Sequence, residues 1–172
     1  MVLKYLDESG FSLCLPPAYS WTRKGRSNQH RVRTRWGKQG RINLIGTLRF
    51  ECGEERLEYG LVEGSCRSGE VIGYLDALAE EAEREGKPVV VVLDRAPFHR
   101  SGAVRERRSV WEAKGLRLYY LPSYCPHLNP IEGVWRRLKG FLMPRRFYDS
   151  LAELKQAVLS ALSLLGAAEL QC

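Results

Sequence analysis

Apolar and polar residues change their period several times along this chain, and each change predicts a new element. Val2-Leu-Lys-Tyr-Leu-Asp7 reads as a short strand that ends in two acids, Asp7 and Glu8, and a glycine turn at Gly10. Period-2 alternation sends Asp7 and Glu8 to opposite faces, so only one of them can join a shared site. Further strands are expected near Phe11 to Leu15, Ile42 to Phe50 and Leu57 to Glu63. Val71, Ile72, Leu75, Leu78, Ala79 and Ala82 then follow helical spacing between Ser68, a cap, and Gly86, a stop, which turns Glu80, Glu81, Glu83 and Glu85 to water.

Pro88-Val-Val-Val-Val-Leu-Asp94 is a continuous apolar run, the pattern of a central strand buried on both faces. A helix near Ser101 to Lys114, a strand at Leu116 to Leu121 and a helix carrying Glu132 follow. A last helix starts at Ser150, with Glu153 completing a capping box and Leu151, Leu154, Val158, Leu162 and Leu165 on one side. Early strands followed by alternating helix and strand predict an α/β fold, a mixed sheet with helices on both faces. The division expected is a core over residues 1–146 and a C-terminal helix over 147–172 packed on or beside it, with Phe141 to Tyr148 as linker.

Three acidic positions stand out in this layout. Asp94 ends the central strand, and sites in open α/β sheets form beyond the carboxyl ends of strands, although an aspartate that merely opens a turn is common there too. Glu132 lies in the first turn of its helix, behind Asn129 and Pro130 at the positions of an N-cap and a first helical residue. Ile131, Val134, Trp135 and Leu138 form the apolar face of that helix, and Glu132, Arg136 and Lys139 form a mostly basic stripe. The Asn129 to Glu132 spacing would equally serve a capping box. With Asp7, these residues make three carboxylates on separate elements. Such a set can bridge two Mg²⁺ or Mn²⁺ ions roughly 3.5–4 Å apart, the arrangement used for phosphodiester cleavage and transfer.

Tyr5-Leu-Asp-Glu-Ser-Gly-Phe11, Leu93-Asp-Arg-Ala-Pro-Phe-His99 and Tyr124-Cys-Pro-His-Leu-Asn-Pro-Ile-Glu-Gly-Val-Trp135 resemble, in order, the three signature blocks of DDE transposases. The branch they are most similar to is that of the bacterial insertion sequences related to mariner elements. Residues 95–131 separate Asp94 from Glu132, near the short spacing typical of that branch. The resemblance implies a ribonuclease-H-like fold and a metal-binding catalytic triad of Asp7, Asp94 and Glu132 for DNA cleavage and strand transfer. It implies two Mg²⁺ or Mn²⁺ ions, double-stranded DNA as partner and a homodimer on that DNA. His99 matches a histidine of the second block, a candidate accessory residue near the scissile DNA or a packing residue under its loop. Arg95 stands where the family usually has Asn, and Cys125 and His127 where Ser and Glu are common. The family usually carries helix-turn-helix modules ahead of the first strand, and six residues precede Asp7 here. A separately encoded N-terminal DNA-reading chain, a split-frame product or a fragment would each account for this.

Composition narrows the alternatives. With 172 residues and 44% apolar content, one packed domain is expected, and no apolar stretch has the ~18 residues of a membrane span, so the chain is expected to be cytoplasmic. The five cysteines, at 14, 52, 66, 125 and 172, form no Cys-x-x-Cys pair, which excludes the usual zinc frameworks. The net charge of +7 is concentrated between Trp21 and Arg41, where eight Lys or Arg residues occur without an acid. Lys24, Arg31, Arg33, Arg35 and Lys38 of this segment, with Arg136 and Lys139, are the candidate DNA-binding residues, and a solvated basic loop is the other reading. Two functions compete with transposition: a metal-dependent nuclease of the same fold, and a non-catalytic DNA-binding remnant.

Overall fold

The computed structural model describes residues 1–13, 40–62, 64–123, 125–143 and 147–170. The basic segment, with Lys24, Arg31, Arg33, Arg35 and Lys38, lies outside the described residues. Six strands form one sheet. They are β1 (Val2–Ser12), β2 (Arg41–Glu51), β3 (Glu54–Val62), β4 (Val89–Leu93), β5 (Leu116–Tyr120) and β6 (Ala168–Glu169), in the order β5-β4-β1-β2-β3-β6. β1, β2 and β3 pair antiparallel, while β4 runs parallel to β1 and to β5. The mixed sheet expected from the pattern is therefore present, with helices on both faces.

Two cores form because the strands alternate. Leu6, Ile45, Val89 and Val91 pack beneath α1 (Ser68–Glu85) and α2 (Gly102–Ala113). Phe11, Leu44, Leu48, Leu57 and Tyr59 pack beneath α3 (Ile131–Arg137) and α4 (Leu151–Leu164). Each large apolar side chain that these helices bury contributes about 1.5–3 kcal/mol. α4 shares the second core through Leu154, Val158 and Leu162, and Ser150 Oγ accepts from Glu153 N–H while the Glu153 carboxylate accepts from Asp149 N–H. Leu151, expected on the buried side, is 43% exposed.

Several expectations are corrected. The first strand does not end at Asp7: β1 runs on to Ser12, because β2 matches it residue for residue from Tyr5↔Leu48 to Ser12↔Arg41 and leaves no room for a turn at Gly10. Ser68 is the first residue of α1 and Arg67 its N-cap, with Glu70 accepting from Arg67 N–H, while Gly86 stops the helix in the left-handed region (φ 63°) as predicted. Glu81 does not face water. Alternation directs Lys4 to the α1 face, where it is buried, and its ammonium needs the carboxylates of Glu81 and Glu58. The stretch expected as a linker, Phe141 to Tyr148, starts inside the π-helix Leu138–Leu142 and ends at a buried Tyr148, whose N–H donates to Leu13 O.

Candidate active site

β4 pairs with β1 only from Val2 to Tyr5, so β1 continues beyond the carboxyl end of its parallel neighbour. Asp7 occupies that overhang, on the face toward α3, and Asp94 follows directly on the last residue of β4. Glu132 enters from the first turn of α3. All three line one cavity of about 380 Å³, together with Arg95, Asn129, Cys125 and the Leu121 to Ser123 backbone turn. Tertiary structure thus brings together the three acids picked from the sequence. Arg136 is exposed, and Lys139 lies over the Phe11 ring with its ammonium 5.0 Å from the centroid.

Two interactions aim α3 at Asp7. Asn129 is buried and its Nδ2 donates to Leu6 O at 3.0 Å, tying the start of the helix to the strand backbone one residue before Asp7. Trp135 lies over Gly46, the β2 residue paired with Asp7, so closely that a Cβ there would come within 2.8 Å of the indole. Glycine is needed at 46 for this approach, not for its backbone freedom. The capping-box alternative for Glu132 is not formed, since α3 has no side-chain cap and Asn129 commits its amide to β1. Sequence reasoning treated Asn129 as a cap and missed its cross-strand role; an asparagine two residues before the helix carried no signal to separate the two.

The carboxylates differ in their surroundings. Burial pushes the Asp7 carboxyl up to about 7, the charges of Glu8, Glu132 and Asp94 add to the rise, and a hydrogen bond from the Glu8 backbone opposes it. Asp94 is held below the usual carboxylate range, first by its hydrogen bond to His99, with burial opposing. His99 is fully buried, with Nδ1 2.7 Å from Asp94 Oδ1 and Nε2 2.7 Å from Glu8 Oε1. Burial pulls the imidazole pKa down, but the two carboxylate hydrogen bonds outweigh it and bring it to about 9. Both ring nitrogens therefore donate, and His99 is an imidazolium at neutral pH. Glu8 lies on the face opposite Asp7 and reaches Asp94 only through this ring.

Hard oxygen ligands and mutually repelling carboxylates match what a divalent cation requires. Asn129 lines the same cavity, and among the described residues its buried Oδ1 has no hydrogen-bond partner. Among the described residues, however, no group of three His, Cys, Asp or Glu is already drawn together at ion-binding range. The donor set fits Mg²⁺ or Mn²⁺ in chemistry, with the side chains not closed into a finished shell.

Comparison with solved structures finds the same fold in DNA-processing assemblies. The crystal structure of the Mos1 mariner paired-end complex with Mn matches with a TM-score of 0.66 at 20% identity, covering 94% of this chain and 48% of that one. The Mos1 strand transfer complex matches with a TM-score of 0.61 at 17% identity over 95% of this chain and 52% of that one. A simian T-cell lymphotropic virus intasome in complex with the PP2A regulatory subunit B56 gamma gives a TM-score of 0.53 at 14% identity over 93% and 46%. The chain spans about half the length of these structures. No curated protein matches it. Residues 2–155 match the family described as DDE superfamily endonuclease, and with that match covering most of its length, over the same strands and helix that carry the three carboxylates, the chain belongs to that family.

Proposed function

We propose that this chain is the catalytic domain of a DNA transposase, cutting and joining DNA strands with Asp7, Asp94 and Glu132 as ligands to two Mg²⁺ or Mn²⁺ ions. The observation that carries this reading is the cavity lined by all three carboxylates at the carboxyl end of the parallel strands, in a chain of the DDE family. When bound, the ions supply activation of a water or 3′-hydroxyl and stabilisation of the leaving 3′ oxygen. The protein's own part is positional. Glu8 and His99 hold the Asp94 carboxylate by one oxygen and leave the other toward the cavity, and Asn129 and Trp135 hold Glu132 above Asp7. Double-stranded DNA is the partner, element ends first and target DNA afterwards, with two copies of the chain acting on it.

Incubation with Mg²⁺ or Mn²⁺ and a duplex carrying the source element's terminal repeats tests this. Nicked products joined to a second duplex are expected. Metal-dependent nicking without joining would assign a nuclease instead, and metal-independent binding without nicking would overturn catalysis altogether.

A further inference from the structure

Beside the carboxylate cavity lies a second one, of about 270 Å³, lined by Arg95, Arg100, Arg105, Arg108 and Tyr120. Arg95 lines both, so the two cavities adjoin at this residue. The second is built from cations that the rest of the fold does not neutralise. Among the described residues, Arg95, Arg100 and Arg105 have no carboxylate within ion-pair distance, and Arg108 has only Glu112, four residues along the same helix, at 3.9 Å. Arg107, one position from Arg108 on α2, shows the contrast: it turns the other way and pairs with Asp76 at 2.6 Å.

Two of the guanidinium groups are tethered in the same way. Arg95 Nε donates to Leu121 O at 3.0 Å and Arg105 Nε donates to Arg100 O at 3.2 Å. Each bond fixes the plane of the group and leaves its terminal amino groups available, the edge that grips an oxyanion in two-point fashion. Tyr120 closes the floor, its hydroxyl anchored by donation to His99 O at 2.8 Å, which joins this wall to the loop that orients Asp94. Four converging guanidiniums repel one another, and a tetrahedral anion relieves that repulsion at the lowest conformational cost.

We infer that this arginine cavity binds a backbone phosphodiester of the DNA strand flanking the bond held at the carboxylates. The inference rests on the proposed DNA reaction, and it adds a subsite. A strand leaving the carboxylate cavity past Arg95 meets the arginines next. Arg95, a departure from the asparagine usual in this family, becomes the shared wall between the reacting and the flanking phosphate.

The test compares two charge removals on one helix, in the full chain and in EDTA so that no cleavage intervenes. Binding of a duplex is measured against salt for wild type, for the paired change Arg105→Gln with Arg108→Gln, and for Arg107→Gln. The slope of log affinity on log salt should flatten by about 0.9 for each phosphate that the paired variant no longer neutralises. It should not move in Arg107→Gln, and Arg105→Lys should keep the slope because its charge remains. Thermal unfolding checks that the variants are folded, and Arg105→Gln alone, at an exposed helix position, serves if the pair is not. Equal slopes in the paired variant and wild type overturn the inference, as does an equal loss in Arg107→Gln. Cleavage of the same duplex in Mg²⁺ is scored apart. A flattened slope without cleavage in wild type would keep the subsite and reject the transposase reading, and cleavage with unchanged slopes would do the reverse.

Discussion

Two sets of carboxylates sit on opposite sides of β1, and the fold treats them differently. On the α1 side, the buried Lys4 ammonium donates to both Glu58 and Glu81, at 2.6 and 2.9 Å, and Arg49 Nε lies 3.8 Å from Glu58, so their charge is balanced from within. On the α3 side, Asp7, Asp94 and Glu132 line one cavity, and among the described residues only Asp94 of the three is paired, through His99. The first set serves folding, because a buried charge without a partner costs several kcal/mol. In the second set Asp7 stays buried beside other acids, and its carboxyl is pushed up to about 7, chiefly by burial, with the charges of Glu8, Glu132 and Asp94 adding to the rise. A fold that balances one set and leaves the other strained fits a site completed by a cation from solution.

The largest effect that would break this contrast is on chemistry. Asp94→Asn or Asp7→Asn should lower Mg²⁺-dependent cleavage by at least ~10²-fold, the scale of losing one group that stabilises transition-state charge, while affinity for DNA in EDTA does not fall. Cleavage that persists in Asp94→Asn would erase the difference between the two sets. On the balanced side, Lys4→Met strands two partly buried acids and should destabilise the protein by about 3–5 kcal/mol in urea unfolding. A loss well below about 1 kcal/mol, the scale of an exposed ion pair, would mean that Glu58 and Glu81 need no internal cation.

A smaller effect tests the aim of Glu132. Gly46→Ala drives a methyl into the Trp135 ring and should cost about 1–3 kcal/mol, with a fall in cleavage that Trp135→Phe partly restores in the double variant. Cleavage unchanged in Gly46→Ala would show that Trp135 does not position Glu132.

Smaller still is the pH response. The folded Asp7 carboxyl keeps its proton up to about 7, whereas an unfolded aspartate releases it near 3.8. The folded state therefore binds more protons between those values, and stability falls as pH rises through that window. Asp7→Asn should raise the Tm at pH 8 and leave it nearly unchanged at pH 4, both in EDTA, and Mn²⁺ should raise the wild-type Tm more at pH 8 than at pH 5. His99 also has a raised folded value, but its window lies higher: its pairing is fully present below about 6.5 and is lost as pH rises through about 9. The smallest expected effect belongs to the basic segment, where neutralising Arg31, Arg33 and Arg35 should flatten the salt slope by about 0.9 per phosphate no longer neutralised, with metal binding retained. An unchanged slope would leave the DNA to Arg136, Lys139 and the arginine cavity.

From its sequence by itself this protein determined the type and order of most elements, since periodicity, the Ser150 cap and the Gly86 stop act over a turn or a strand and need no distant partner. It also determined which acids could meet, because a run of valines ending in Asp94 and a helix opening near Glu132 are local signals. What waited on each face was decided only by the tertiary structure. Alternation placed Lys4 and Glu8 on the α1 side, but their partners lie 54 and 91 positions away, and the Asn129 bond to Leu6 spans 123. The continuation of β1 through Gly10 was likewise set by β2, whose hydrogen bonds overrode a local turn signal. Local pattern fixes the direction of a side chain, whereas burial, pairing and pKa depend on groups that only the folded sheet brings within reach.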